Sequence, residues 1–147
     1  MHSFILILHS LNRFILLVLL LFVLYRTLTG WLNKSEFSKT DDKLSLFLFI
    51  STHTQLLLGL ILYFVSPLVV FSGASMKDAV ARYWLVEHFT GMLVAIVLIT
   101  IARISMKKLS SGQAKHKRMF VLNAIALVFI IALIATSHRG FFTVAGN

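Results

Sequence analysis

The apolar run FILILHSLNRFILLVLLLFVLYRTLTGW, which covers Phe4–Trp31, is the first of four long hydrophobic stretches in the sequence. The other three cover Leu44–Phe71, Ala79–Met106 and His116–His138. Each is longer than the roughly 20 residues that cross a hydrocarbon core of about 30 Å as a helix. Backbone groups in lipid must be paired within their own segment, and the strands of a barrel would be shorter and would alternate in polarity. The sequence therefore predicts an all-α protein with four transmembrane helices in a single domain.

The composition points to lipid as the solvent of this chain. Of its 147 residues, 59% are hydrophobic, and the mean hydropathy is +0.91. A soluble domain of this size has no room to bury so much apolar surface. The sequence contains no cysteine, which excludes disulfides, thiolate metal sites, iron–sulfur clusters and thiol catalysis. Any redox chemistry therefore requires a cofactor that is held by other ligands.

The positive charge is concentrated in two of the connections between the apolar runs. The formal net charge is +9, and ten of the fourteen Lys and Arg residues lie within residues 26–43 and 103–118. Basic clusters beside transmembrane segments mark the loops that stay in the cytoplasm. We interpret this pattern as a topology signal rather than a nucleic-acid-binding surface. Both termini are then expected outside the cytoplasm.

Short connections make consecutive helices antiparallel neighbours, so we expect an up-and-down four-helix bundle. In such a bundle helices 1 and 3 are diagonal partners, as are helices 2 and 4. Thr40 or Asp41 is expected to cap helix 2. Pro67 is expected to end helix 2, although it would also be compatible with a kink in the last turn.

Four histidines are the candidate functional residues, because an ionisable side chain in a membrane span is costly and imidazole is a common haem ligand. His9 and His88 both lie in the outer parts of the diagonal helices 1 and 3, at similar depth. His53 and His116 belong to the other diagonal pair, but their depths differ by roughly 12 Å at 1.5 Å per residue. We expect the first pair to be the better haem site, with the imidazoles as axial ligands of the iron, and the second pair to be a weaker one.

Several neighbours of these histidines have two possible uses. Arg13 lies one turn after His9 and is a candidate for binding a haem propionate, and Glu87 is its expected counter-ion in the protein. Gly91 and Ala95 follow His88 on the same helix face. They either admit a flat macrocycle or allow ordinary close packing of helices.

The polar run at residues 51–55 contains Ser51, Thr52, Thr54 and Gln55 around His53. Three roles are open for it: orienting the imidazole through its second nitrogen, lining a quinone pocket, or bonding helices together.

The segments that carry the histidines resemble a family of membrane cytochromes. They are HSLNRF at 9–14, HTQLLLGLILYFVSP at 53–67, MKDAVARYWLVEHFTGM at 76–92 and AKHKRMF at 114–120. The chain is similar to small four-helix membrane cytochromes b, broadly in the manner of the di-haem cytochrome b561 class. It is closer to a family of short bacterial membrane proteins labelled cytochrome b. The resemblance implies one or two haems b with bis-histidine ligation, electron exchange with quinone, and a place in the bacterial inner membrane.

Other functions are compatible with the same sequence. The chain would also serve as an accessory subunit of a larger respiratory or transport complex, or as a homo-oligomer, with histidines that only bond helices together. A membrane oxidoreductase that acts on porphyrin or quinone is a further alternative. A proton channel is disfavoured, because Glu87 is the only acidic residue near a span.

Overall fold

Residues 1–137 are described in a computed structural model of the chain, and they form four long helices. The helices are α1 (His2–Leu32), α2 (Lys39–Val65), α3 (Ala79–Met106) and α4 (Gly112–Thr136). A short 3-10 helix, Gly73–Lys77, precedes α3, and α3 contains one π-helical turn at Tyr83–Glu87. These described residues contain no strand. The prediction of an all-α four-helix bundle is confirmed.

The first half of the bundle is bounded by side-chain capping and by proline. Helix α2 begins at Lys39 rather than Leu44, because the Ser38 hydroxyl accepts the Asp41 backbone N–H and the Asp41 carboxylate accepts the Ser38 N–H. This reciprocal capping box satisfies two N–H groups that a helix start otherwise leaves unpaired. Ser38 is thus the cap, and the expectation of Thr40 or Asp41 in that position is wrong. Helix α2 ends at Val65, so its predicted end at Phe71 is wrong. Ser66, the residue before Pro67, is extended, as residues before proline usually are. The proline therefore follows the helix end and does not kink it.

The second half begins close to where the sequence places it. Helix α3 has the predicted bounds, but its π-helical turn was not predicted. Helix α4 begins at Gly112, one turn before His116, because the Ser111 hydroxyl accepts the Ala114 N–H. The predicted end of this helix at His138 lies outside the described residues.

The four helices pack in a ring, in which α1 contacts α2 and α4, and α3 contacts α4 and α2. Helices α1 and α3 are therefore diagonal, as are α2 and α4, which is the up-and-down arrangement that the short connections predict. The packing is least extensive between α2 and α3. We call the end where α1 and α3 finish and α2 and α4 begin the basic end, and the other the opposite end.

Most of the apolar surface of the helices faces outward. In the most apolar part of each helix, between 17% and 28% of the residues are buried within the chain. All four helices are long and apolar enough to cross a membrane, and an exterior of this composition requires apolar surroundings. The chain therefore has the form of a multi-pass membrane protein.

The core combines a line of aliphatic side chains with ion pairs at the basic end. Buried side chains from the helices meet along the axis, and they are Leu16, Leu20, Val23, Leu48, Ala95, Ile99, Ala102, Met106, Met119, Ala126 and Ile130. Arg26 on α1 pairs with Asp41 on α2 at 2.7 Å. Arg103 on α3 is buried, and it contacts Ser45 and the Asp42 carboxylate on α2. These contacts tie three helices together where their ends meet the basic connections.

Helices α1 and α4 approach closely at Gly30. A Cβ atom at this position would overlap the imidazole of His116, which is 1% exposed. Small residues at helix crossings in membranes allow this kind of approach. Gly30 is therefore a packing requirement of the bundle.

We expect Gly30→Ala to lower the free energy of unfolding by about 1–3 kcal/mol, because the added methyl group overpacks the contact with His116. The matched control is Gly73→Ala, where a Cβ would meet nothing within 4 Å. Thermal unfolding of both variants in the same detergent measures the difference. Equal midpoints for the two variants would contradict the assignment, whereas a smaller effect of Gly30→Ala in a His116→Ala background would support it.

Candidate functional site

A cavity lies between the four helices, in the half of the bundle away from the basic end. Its volume is about 180 Å³, and it is partly open to the exterior. This exceeds the roughly 150 Å³ of an engineered cavity that binds benzene. Polar and charged side chains enter a mainly apolar wall, and they include His9, Ser10 and Arg13 from α1, Thr52, Gln55 and Tyr63 from α2, and Tyr83, Trp84 and His88 from α3. His9 and His88 thus line the same cavity from diagonal helices.

His9 is held against α2 by contacts on both its backbone and its ring. Gln55 Nε2 donates a hydrogen bond to the His9 backbone carbonyl at 3.0 Å. Gly59 faces the ring, and a Cβ there would lie 3.4 Å from His9 Nε2. Within residues 1–137 neither ring nitrogen makes a hydrogen bond. The imidazole is therefore positioned by its backbone and by packing, and its nitrogens remain available to a ligand.

His88 follows directly after the π-helical turn of α3. A π-helical turn spaces its hydrogen bonds five residues apart, and such turns occur often at functional sites. Here it brings Tyr83, five residues earlier, beside the ring, with Tyr83 Oη 3.5 Å from His88 Nδ1. The Tyr83 hydroxyl donates to the Leu133 carbonyl on α4, which leaves its oxygen as an acceptor for an Nδ1–H. This arrangement favours the tautomer of His88 in which Nε2 carries the lone pair.

The two imidazoles lie about one helical turn apart in depth, as judged from their contacts with α2. His9 is level with Gly59, and the ring of Phe89, next to His88, packs 4.5 Å from that of Tyr63. Gly59 and Tyr63 are one turn apart on α2, so the depths differ by about 6 Å. The offset is small enough for both rings to contact one planar ligand.

Arg13 adds a positive charge to the same cavity. Its side chain lines the cavity together with His9 and His88. Its Cζ lies 4.9 Å from the centre of the Phe14 ring. Glu87 pairs with Arg82 at 2.9 Å at the exposed surface, so the expectation that Glu87 is the counter-ion of Arg13 is wrong.

The polar run of α2 serves mainly to bond α2 to α1. Asn12 Nδ2 donates to the Ser51 carbonyl at 2.9 Å and to Gln55 Oε1 at 2.8 Å. The Ser51 hydroxyl donates back to Asn12 Oδ1 at 3.1 Å. Thr52 lines the cavity, but its hydroxyl donates to the Leu48 carbonyl of its own helix. Of the three roles open to this run, the helix-bonding one is seen in these contacts.

His53 and His116 are not brought together. His53 lies between α2 and α3, where its Nδ1–H donates to the Phe49 carbonyl at 2.8 Å and its Nε2 is 3.5 Å from Thr100 Oγ1. His116 lies at the basic end, where its Nε2–H donates to the Glu36 carbonyl at 3.2 Å. Each histidine thus contacts a different interface, and the two do not form a common site.

Some contributors to the cavity carry no clear sequence signal. Tyr83 reads as an ordinary interfacial aromatic residue, and Asn12 and Gly59 stand in apolar surroundings without a motif. Gly91 packs against Leu133 of α4, which is close helix packing, whereas Ala95 lines the cavity. The one available signal is the five-residue spacing of Tyr83 and His88, which becomes meaningful only with a π-helical turn.

Residues 1–137 contain no group of three or more His, Cys, Asp or Glu side chains that could hold a metal ion. Within the described residues the chain is an all-α, four-helix bundle with membrane-spanning character, and His9, His88 and Arg13 line one cavity in it. Searches of protein-family models, curated proteins and solved structures find no match to this chain.

We expect the imidazole of His88 to populate both tautomers in Tyr83→Phe, because this variant lacks the oxygen that accepts the Nδ1–H. Nitrogen-15 NMR of the imidazole should show Nδ1 protonated in the parent chain and a mixture of tautomers in the variant. Tyr63→Phe is the control, since the Tyr63 hydroxyl also donates to a backbone carbonyl, that of Leu85, but has no contact with His88. An unchanged His88 signal in Tyr83→Phe would show that the tyrosine does not orient the ring.

Proposed function

We propose that this protein is a b-type cytochrome-like electron-transfer protein of the membrane, with haem held between α1 and α3 by His9 and His88. The observation that carries the proposal is the convergence of these two imidazoles on one cavity beside the Arg13 guanidinium. Bis-histidine ligation needs two neutral imidazoles from opposite sides of the macrocycle. Diagonal helices present side chains from opposite sides.

The chemistry of the side chains around the cavity supports a haem ligand. Most of the wall is aliphatic or aromatic, as a macrocycle requires, and the polar groups are few. The volume of about 180 Å³ is below the roughly 300–1,000 Å³ of ligand pockets. A haem would therefore also occupy the open side of the cavity. The cofactor would supply one-electron redox chemistry.

The protein residues would bind and tune this group. The His88 tautomer favoured by Tyr83 leaves Nε2 as the ligating atom. Arg13 would hold a propionate and add positive charge near the iron. Because His53 and His116 occupy separate interfaces, we propose one haem per chain rather than two.

The proposed setting is the bacterial inner membrane, with the basic end in the cytoplasm and both termini outside. The ten Lys and Arg residues of the two basic connections support this orientation. The cavity then lies in the outer half of the bilayer. Quinone, which diffuses in the lipid, is the proposed electron partner.

An accessory-subunit role is the second candidate. His53 and His116 each use a ring N–H to bind a backbone carbonyl, and Asn12 joins α1 to α2. These are the uses that polar residues have in a bundle without a cofactor. A partner complex that co-purifies with this chain, in the absence of a haem spectrum, would favour this role.

We expect the parent chain, expressed in haem-sufficient cells, to show a reduced-minus-oxidised spectrum of a low-spin b-type haem at about one haem per chain. His9→Gln and His88→Gln should each lose this spectrum, because each removes an axial ligand. His53→Gln is the control and should retain it. A folded, colourless parent chain would falsify the haem proposal, and equal loss in His53→Gln would contradict the assignment of the ligands.

We expect Arg13→Gln to lower the haem reduction potential, because a nearby positive charge stabilises the reduced form, which carries one electron more. The shift should be on the order of tens of millivolts for a partly buried charge. Arg82→Gln is the matched control at the same end of the bundle, since its charge is already paired with Glu87. A redox titration in the same detergent compares the two. A larger shift in Arg82→Gln than in Arg13→Gln would contradict the role of Arg13.

A further inference from the structure

We propose a second site, at the basic end, which binds the phosphate group of an anionic phospholipid. A surface pocket of about 400 Å³ lies there between the start of α2, the end of α3 and the start of α4. Its walls are formed by Phe37, Ser38, Lys39, Asp42, Met106, Lys107 and Lys115. This pocket is separate from the histidine cavity and does not depend on the proposed haem.

Three lysines from three parts of the chain converge on this pocket. Lys39 begins α2, Lys107 follows α3, and Lys115 lies in the first turn of α4. Among the described residues none of the three forms a salt bridge. Their ammonium groups are therefore available to an anion.

The acidic residues nearby do not cancel this charge. Asp42 lies in the pocket wall, but its carboxylate is 3.4 Å from Arg103 Nη1. Asp41, one residue earlier, is paired with Arg26 and with the Ser38 cap. The arginines therefore compensate these two carboxylates. Glu36, next to Phe37, forms no salt bridge within residues 1–137 and offsets one lysine charge. The three lysines still give the pocket a net positive charge.

The pocket also has an apolar part. Phe37 and Met106 contribute to its wall, and Lys115 Nζ lies 5.9 Å from the centre of the Phe37 ring. A cation–π contact of this kind holds the ammonium group in place. Lysines above apolar side chains match a ligand that has a charged head and a hydrocarbon chain.

The position of the pocket indicates the source of the phosphate. The pocket lies where the apolar helices end and the basic connections begin, which is the level of the lipid headgroups. Basic pockets between transmembrane helices on this side bind phospholipid headgroups in membrane proteins. A soluble phosphate compound has the same charged group, so the experiment must separate the two.

The test is a thermal-unfolding titration of the full chain in a neutral detergent. Phosphatidylglycerol is added in one arm, phosphatidylcholine in the second and inorganic phosphate in the third. We expect phosphatidylglycerol to raise the midpoint and phosphatidylcholine to leave it unchanged. Each lysine contributes about fivefold in affinity near an anionic headgroup, so Lys39→Gln/Lys107→Gln/Lys115→Gln should weaken the response on the order of a hundredfold.

The matched control is Lys34→Gln/Lys43→Gln/Lys108→Gln, which removes the same charge from exposed lysines of the same end outside the pocket. Its apparent affinity for phosphatidylglycerol should be within about threefold of that of the parent chain. The lysines removed from it contribute only a long-range, salt-screened attraction to the anionic lipid. Inorganic phosphate would raise the midpoint of the parent chain but not that of the pocket variant if the site binds a soluble phosphate compound. That outcome would support the site but assign it a soluble ligand. Equal losses in the two triple variants, or no response to either anion, would overturn the proposal. If the triple variant does not fold, the single variant Lys107→Gln takes its place in the titration, because Lys107 lies in an exposed connection.

Discussion

The absence of water in the bilayer core is the constraint on which the rest of this structure depends. Polar groups inside a span are stabilised by partners within the bundle, because lipid offers none. Asn12 meets Ser51 and Gln55 across the α1–α2 interface, and Tyr83 reaches the Leu133 carbonyl across α3–α4. These contacts set how the helices are rotated against each other. The rotation in turn directs His9 and His88 to one cavity.

Positive charge lies at the surface at one end of the bundle and inside a cavity at the other. At the basic end Arg26 and Arg103 neutralise Asp41 and Asp42, so the lysines above them remain as a positive surface. At the opposite end Arg13 enters the cavity beside the imidazoles of His9 and His88. One protein thus separates a surface charge suited to lipid headgroups from an internal charge suited to a buried anionic group.

The fold followed from the sequence because its signals are local. Apolar length identifies a span, basic residues mark the loops between spans, and short connections force antiparallel neighbours. The errors concern the starts of α2 and α4 and the end of α2, which lies at Val65 instead of Phe71. The capping box of Ser38 and Asp41 extends α2 by five residues into a polar segment, and the Ser111 cap extends α4 to Gly112. At the starts of α2 and α4 the capping side chains, rather than the first apolar residue, therefore determine where the helix begins.

The sequence by itself determined the number of spans, the distribution of charge and the set of ionisable residues that a membrane must accommodate. The tertiary structure alone decided which of these residues meet. In a soluble protein an amphipathic stripe shows the inward face of a helix, but here lipid-facing and core-facing positions are both apolar. Leu20 is buried and Leu21 is exposed, for example. The rotation of each helix, and with it the pairing of His9 with His88 and the separation of His53 from His116, depends on packing and hydrogen bonds between helices, which no single stretch of sequence contains.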